Sequence, residues 1–181
     1  YRTGHLAAGP REGLEMIIDE IMGVLPTDSA VIEVINPDTN CLEMEVSRGF
    51  RKELTGTPLK VGAGLTGWVA LHGKPANVPE VDSDPRYLRI DPDVRSEMAA
   101  PVSMENGEVM GVVSVSSYRA EAFSDSHEKV LVLLTAEATR ALNHLWLIEQ
   151  LREKADHLEV LIDIARSIAA KRDLEEILST I

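Results

Sequence analysis

The chain has 181 residues, and its 30 Asp and Glu outnumber its 18 Lys and Arg, for a formal charge of −12. At 44% hydrophobic and 27% charged residues it has a globular composition, too apolar for a disordered chain. The acidity argues against a nucleic-acid partner, which needs a clustered excess of Lys and Arg. The longest wholly apolar stretches, such as Val130 to Leu134, run about five residues against the roughly 20 that cross a bilayer, so no membrane partner is expected.

This length suits one well-buried domain plus an extra element, or two very small domains. The single cysteine, Cys41, excludes an intrachain disulfide and a Cys-based zinc cage, and fits a reducing, cytoplasmic compartment. The chain opens at Tyr1 with no charged-then-apolar leader, so the expectation is a segment of a longer polypeptide without a signal peptide.

After a short tail (1–9), Leu14, Ile17, Ile18 and Ile21 fall at helical spacing, predicting an amphipathic helix from about Pro10 to Leu25. Pro26 to Ser29 breaks it. Val31, Ile32, Val34 and Ile35 then form a β-rich run, Asn36 to Asn40 a turn, and Leu42, Met44 and Val46 the apolar side of a return strand. A second hairpin is expected from Ser96–Met104 and Glu108–Ser117 around Asn106-Gly107, the favoured pair of a two-residue type I′ loop. Pro101 must sit where its missing N–H needs no partner. Between the hairpins lie a Gly-rich stretch at 62–67, a short helix to about His72, and an acidic, Pro-containing segment from Pro79 to about Arg95. A long irregular segment of this kind reads as a functional loop or lid.

Ser124 is a good N-cap, and the pattern beyond it stays helical for about 45 residues. Leu131, Leu134, Ala138, Ala141 and Leu145 form one stripe. From Ile148 the spacing is heptad: Ile148, Leu151, Ala155, Leu158, Ile162, Ala165 and Ala169, as in a coiled coil over 148–170 that would join two copies of the chain. The alternative is a helix that packs back on its own domain. Near the C-terminus, Leu174, Ile177, Leu178 and Ile181 repeat the spacing of Leu14, Ile17, Ile18 and Ile21. Either 171–181 begins a second copy of the same domain, or two unrelated amphipathic helices share a common pattern.

Gly62-Ala63-Gly64-Leu65-Thr66-Gly67 matches the dinucleotide fingerprint G-x-G-x-x-G. That motif requires a buried strand before it and a full helix after it, whereas Thr57 to Val61 is a poor central strand and Gly73 ends the helix after roughly two turns. A tight entry into a short helix packed through Leu65, Trp68 and Val69 is the better reading. The five His are scattered without metal-ligand spacing. Ser114, Ser116 and Ser117 have no adjacent base, so they are strand residues or ligand hydrogen-bonders rather than nucleophiles. What remains is a small-molecule pocket over one sheet face. Its candidate lining is Trp68, Asp82, Arg86, Tyr87, Glu97, Met98, Ser114 and Ser116, with Met110 and Val112 on the same strand face as the two serines. Core packing is the competing role for Trp68 and Met98, and an ion pair or helix cap for Arg86 and Glu97.

Read in order, Gly62-x-Gly64-Leu65-Thr66-Gly67-Trp68-Val69-Ala70, Gly73-x-Pro75, Val81-x-x-Asp84-Pro85-Arg86-Tyr87, Arg95-Ser96-Glu97-Met98-Ala99-Ala100-Pro101-Val102, Gly107-x-Val109-x-Gly111-Val112-Val113-Ser114-Val115 and Ala122-Phe123-Ser124 resemble the GAF domain family over about residues 10–147. The resemblance implies an α+β fold: a six-stranded antiparallel sheet with helices on one face and a small-molecule pocket on the other, followed here by a long C-terminal coiled-coil helix. It further implies a non-catalytic sensory or dimerising input module, of the kind found in bacterial kinases, cyclases, phosphatases and transcription activators. Such a module would act as a homodimer, with a small-molecule effector and a covalently linked output domain. The Asn-Lys-Phe-Asp-Glu set of cyclic-nucleotide-binding members is not readable here, and Cys41 is in the wrong place to attach a bilin. The family's free methionine-(R)-sulfoxide reductases share a Ser-Glu element like Ser96-Glu97. They need cysteines near the lid and sheet that this chain lacks, which disfavours enzyme activity. The cofactor stays unknown from the sequence, and no metal is expected.

Overall fold

The computed structural model describes residues 8–51, 58–104 and 106–178. Most of the expected tail lies outside the described residues, as do the side chains of Ile148 and of 171–181, which carry the expected repeat. The elements in order are α1 (Ala8–Val24), β1 (Ser29–Asn36), β2 (Cys41–Arg48), β3 (Leu59–Lys60), α2 (Gly64–His72), β4 (Ala76–Val78), β5 (Ser96–Ser103), β6 (Val109–Ser117) and α3 (Asp125–Leu178). The strands form a six-stranded sheet in the order β3-β2-β1-β6-β5-β4, with every neighbouring pair antiparallel. The class is α+β, as the resemblance implies.

One sheet face is dry and helix-covered. Leu14, Ile18 and Ile21 of α1 are fully buried against Ala30, Ile32, Val46, Met98, Ala100, Val102, Val113 and Val115. Full burial of such side chains stabilises by about 1.5–3 kcal/mol each. Phe123, just before α3, and Leu131 within it join the same cluster. Ser124 caps α3, its hydroxyl accepting from the His127 N–H at 3.4 Å while its own N–H donates to His127 Nδ1 at 3.2 Å.

The opposite face carries α2. Leu65, Val69 and Ala70 pack with Leu42, Ala76, Val78, Val81, Val94, Ala99 and Val112. The Gly-rich stretch is the entry to α2. Gly64 takes a left-handed φ of 69°, and a Cβ on Gly67 would lie 2.7 Å from the Lys60 carbonyl oxygen. The glycines thus seat a short helix against an edge strand.

Two bulges change which side chains meet which face. Ile32 pairs with Val46 and Glu33 with Met44, which leaves Glu45 as the extra residue of β2. Leu42 therefore packs on the α2 face and Val46 on the α1 face, contrary to the single apolar side expected for this strand. Val102 pairs with Gly111 and Ser103 with Val109, so Met110 is extra in β6. It turns toward the α1 cluster and does not share a face with Val112. The β5–β6 connection also differs from a two-residue type I′ loop. The Gly107 N–H donates to the Met104 carbonyl at 2.9 Å. Gly107 is left-handed (φ 84°), and the Met104 N–H donates to the Glu108 carbonyl at 2.7 Å. This is the longer kind of connection, which asks for one left-handed residue rather than two. Pro101 is accommodated because β4 pairs with residues 97–99 of β5 and stops there.

The chain divides into two compact units, Tyr1–Leu142 and Asn143–Ile181. In the second, Leu151 and Leu158 are each 59% exposed and Ile162 is 50% exposed, and Ala155 is exposed as well. No described helix is long and apolar enough to cross a membrane.

Candidate functional site

A cavity of about 420 Å³ lies on the α2 face of the sheet, within the range of small-ligand sites. Its floor is built by strand periodicity: Val31 and Glu33 from β1, Ser114 and Ser116 from β6, and Glu97 from β5 all point to this side. The register places Glu97 opposite Ser116, and Val31 opposite Ser114. Leu65 and Thr66 from the first turn of α2 form one wall. Phe50, Pro58 and Leu59 form another, and Tyr87, Leu88, Ile90, Asp91 and Val94 lie along the third.

That third wall is the irregular segment singled out from the sequence, and it is tied down at several points. Val81 and Val94 are buried plugs. The Val81 N–H donates to the Arg95 carbonyl at 2.9 Å, and Arg95 pairs with Glu80 at 2.5 Å. Arg89 pairs with Asp82, and Arg51 with Asp93 and, at 3.5 Å, with the buried Asp91. Arg86 forms a forked pair with Asp84 at 2.6 and 2.9 Å. Its guanidinium also sits 4.6 Å from the Trp68 ring centroid, and Trp68 in turn stacks on His72 at 4.4 Å. The surface pairs Arg89–Asp82 and Arg51–Asp93 contribute at most about 1 kcal/mol each, so they fasten the segment without making it part of the core.

Two buried carboxyls dominate the electrostatics. Burial, opposed by a hydrogen-bonding interaction with the Thr66 hydroxyl, pushes Glu33 up to about 7. Burial, and then the nearby Glu33 charge, pushes Glu97 up to about 8. Oε2 of Glu33 is buried and accepts no hydrogen bond. The Tyr87 phenol is driven upward by burial and then by the charges of Glu97 and Asp91, so it stays protonated as a donor. Among the described lining residues none is Lys or Arg. The cavity can therefore accept hydrogen bonds and positive charge at its floor and make apolar contacts along its walls.

Of the residues expected to converge, Tyr87, Glu97, Ser114 and Ser116 do line the cavity. Met98 does not: it alternates with Glu97 along β5, so it is fully buried in the α1 cluster on the far face. Trp68, Asp82 and Arg86 also lie outside the lining. Trp68 packs beside the α2 cluster, Asp82 is on the exposed surface with Arg89, and Arg86 is held by Asp84 and Trp68 rather than by Glu97. Sequence reading missed Glu33, Thr66 and Asp91. Glu33 had a visible signal, a carboxylate in the middle of the apolar run Val31-Ile32-Glu33-Val34-Ile35. Cys41 is half-buried at the start of β2, donating to the Thr39 carbonyl at 3.5 Å, and is not a lining residue. No cluster of metal-ligating side chains occurs among the described residues.

A hollow on one face of an antiparallel sheet, closed by a short helix and a pinned irregular segment, with helices packed on the other face, defines a ligand-pocket domain class. Residues 7–143 match the model described as the GAF domain, and the chain belongs to the GAF domain family. It is 28% identical over 128 residues to the dual 3',5'-cyclic-AMP and -GMP phosphodiesterase 11A of Takifugu rubripes, a match covering 66% of this chain and 14% of that protein. It is 30% identical over 113 residues to the dual 3',5'-cyclic-AMP and -GMP phosphodiesterase 11 of Drosophila melanogaster, covering 59% and 8%. Among solved structures it resembles the GAF domain of a phosphoenolpyruvate-protein phosphotransferase from Coxiella burnetii, with a TM-score of 0.71, 19% identity, and 80% and 88% of the two chains covered. The type II free methionine-R-sulfoxide reductase from Thermoplasma acidophilum is similar in fold, with a TM-score of 0.68, 22% identity, and 76% and 94% coverage.

Proposed function

We propose that this GAF domain is a non-catalytic regulatory module. It takes up a small molecule over the sheet, beneath the 79–95 segment, and passes its state through the C-terminal helix of a homodimer to a covalently linked output domain. The observation that carries this reading is the cavity of about 420 Å³ with a polar floor and apolar walls. A ligand changes the helix state to the extent that it binds the two states of the domain with different affinity. The ion pairs that fasten the 79–95 segment are weak enough for a ligand to outweigh.

The two curated relatives named above are cyclic-nucleotide phosphodiesterases, but this chain spans 14% and 8% of their lengths. A cyclic nucleotide is a poor candidate effector here, because its phosphate would face Glu33 and Glu97 with no described lining cation to receive it. Sulfoxide reduction of the kind named for two structural neighbours needs a thiolate at the substrate, and Cys41 is not among the lining residues. A ligand-free relay module is the alternative. Native mass spectrometry of the freshly purified chain, with melting curves before and after denaturing extraction and refolding, separates the two. A copurifying small molecule whose loss lowers the melting temperature supports ligand sensing. A bare protein whose melting does not respond to any added small molecule supports the relay alone.

A further inference from the structure

We propose that the cavity is built for an organic cation, a protonated amine or amidine carried on an apolar body, with Glu33 and Glu97 as its anchoring carboxylates. This deepens the regulatory reading above and rests on it.

Assigning a partner to each charge of the described lining residues leaves two carboxyls over. Five of the described lining residues are titratable: Glu33, Glu43, Tyr87, Asp91 and Glu97. Asp91 is matched by Arg51. Glu43 is exposed and accepts a hydrogen bond from Asn36 Nδ2 at 2.8 Å. Tyr87 is neutral and donates. Glu33 and Glu97 remain. Glu33 keeps a buried oxygen with no hydrogen bond. Among the described residues, the charged neighbour of Glu97 is Glu33, and the group that feels its charge is Tyr87; neither is a cation.

A buried, unpaired carboxylate is costly, commonly by several kcal/mol, and two that repel each other cost more. With no cation beside them the two carboxyls favour the protonated form, Glu33 raised to about 7 and Glu97 to about 8. A ligand cation removes the need. It supplies the missing charge, donates to Glu33 Oε2, and can use the Ser114 and Ser116 hydroxyls as further acceptors. The remainder of the lining selects what carries the charge. Val31, Met44, Phe50, Leu59, Leu65 and Ile90 present an apolar wall that a fully hydrated inorganic cation would leave uncovered. An ammonium or amidinium on a flat or branched hydrocarbon body meets both halves. An anionic ligand meets neither.

The test uses three probes that share an indole body and differ at the end of the chain: tryptamine, tryptophol and indole-3-propionate. Each is titrated calorimetrically into the 181-residue chain and into its Glu33→Gln, Glu97→Gln and Glu20→Gln variants. Glu20 is exposed on α1, whose buried face packs on the other side of the sheet, and its variant controls for net charge. Tryptamine is expected to bind at least tenfold more tightly than tryptophol, with the propionate not binding. Each cavity variant should lower tryptamine affinity about tenfold, and Glu20→Gln should leave it within twofold. Near-ultraviolet circular dichroism checks that the variants are folded. Equal or tighter binding of tryptophol or the propionate overturns the cation assignment while leaving ligand sensing intact. Absence of binding by all three also overturns it, and the extraction experiment above then reports separately on ligand sensing.

Discussion

Glu97→Gln offers a direct test of the electrostatic reasoning. The substitution keeps the shape of the side chain on β5 and removes its ability to ionise. Glu97 is raised from the ordinary glutamate value to about 8, first by burial and then by Glu33. Below the unfolded value both states hold the proton, and the folded state is not penalised. Above it the unfolded chain releases the proton while the folded chain retains it, so stability falls as pH rises, until the folded group ionises near 8. The slope in that window is about 1.4 kcal/mol per pH unit, which gives at most about 3 kcal/mol between pH 5 and pH 7.5. In the variant this loss is absent, and Glu33 is relieved of a like charge. For a domain of this size the difference corresponds to roughly 10 °C in melting temperature. Thermal melts followed by circular dichroism from pH 5 to pH 8 read it. The two proteins should melt together at the acid end and diverge steadily toward pH 8, with the variant the more stable. Parallel curves across that range would refute the assignment of Glu97 as a buried carboxyl without a cation.

Other expectations follow from particular contacts. Met98→Ala removes a fully buried side chain from the α1 cluster. It should cost about 2–5 kcal/mol in urea unfolding while leaving tryptamine affinity within twofold, because the residue faces away from the cavity. Ser96→Ala deletes a buried hydroxyl that donates to the Arg119 carbonyl at 2.7 Å; a loss of about 1–2 kcal/mol is expected, and an unchanged urea midpoint would contradict it. Gly67→Ala places a Cβ against the Lys60 carbonyl oxygen and should destabilise by about 1–3 kcal/mol, read as a lower urea midpoint. Paired Ile148→Asp and Leu158→Asp substitutions should convert dimers to monomers in light scattering, and an unaltered mass would remove the coiled coil from the proposal.

How much of this was legible in the sequence depended on how local the cause was. The helical spacing of Leu14, Ile18 and Ile21 and the apolar runs of β1 and β6 are local, and they fixed the framework. β3 and β4 were not read from the residue pattern, because two- and three-residue strands owe their existence to a neighbour's open edge rather than to their own periodicity. The site was half legible. Tyr87, Glu97, Ser114 and Ser116 follow from strand alternation and from a segment rich in polar residues. Met98 faces away from the cavity because adjacent strand residues point to opposite faces and Glu97 occupies the cavity side. Met110 and Val46 went astray for a subtler reason. Each lies at or next to a bulge, where one extra residue reverses the in-out count, and no residue type announces that reversal.

The stack of Asp84, Arg86, Trp68 and His72 gives the domain a built-in optical gauge. The Arg86 guanidinium lies 4.6 Å from the Trp68 ring centroid and the His72 imidazole stacks on the same ring at 4.4 Å, and Arg86 belongs to the segment that walls the cavity. Any displacement of that segment lifts a charge from the ring and alters its emission. With Trp146, the second tryptophan of the chain, replaced by Phe, the fluorescence of a single indole would record the position of the wall in real time, with no label attached.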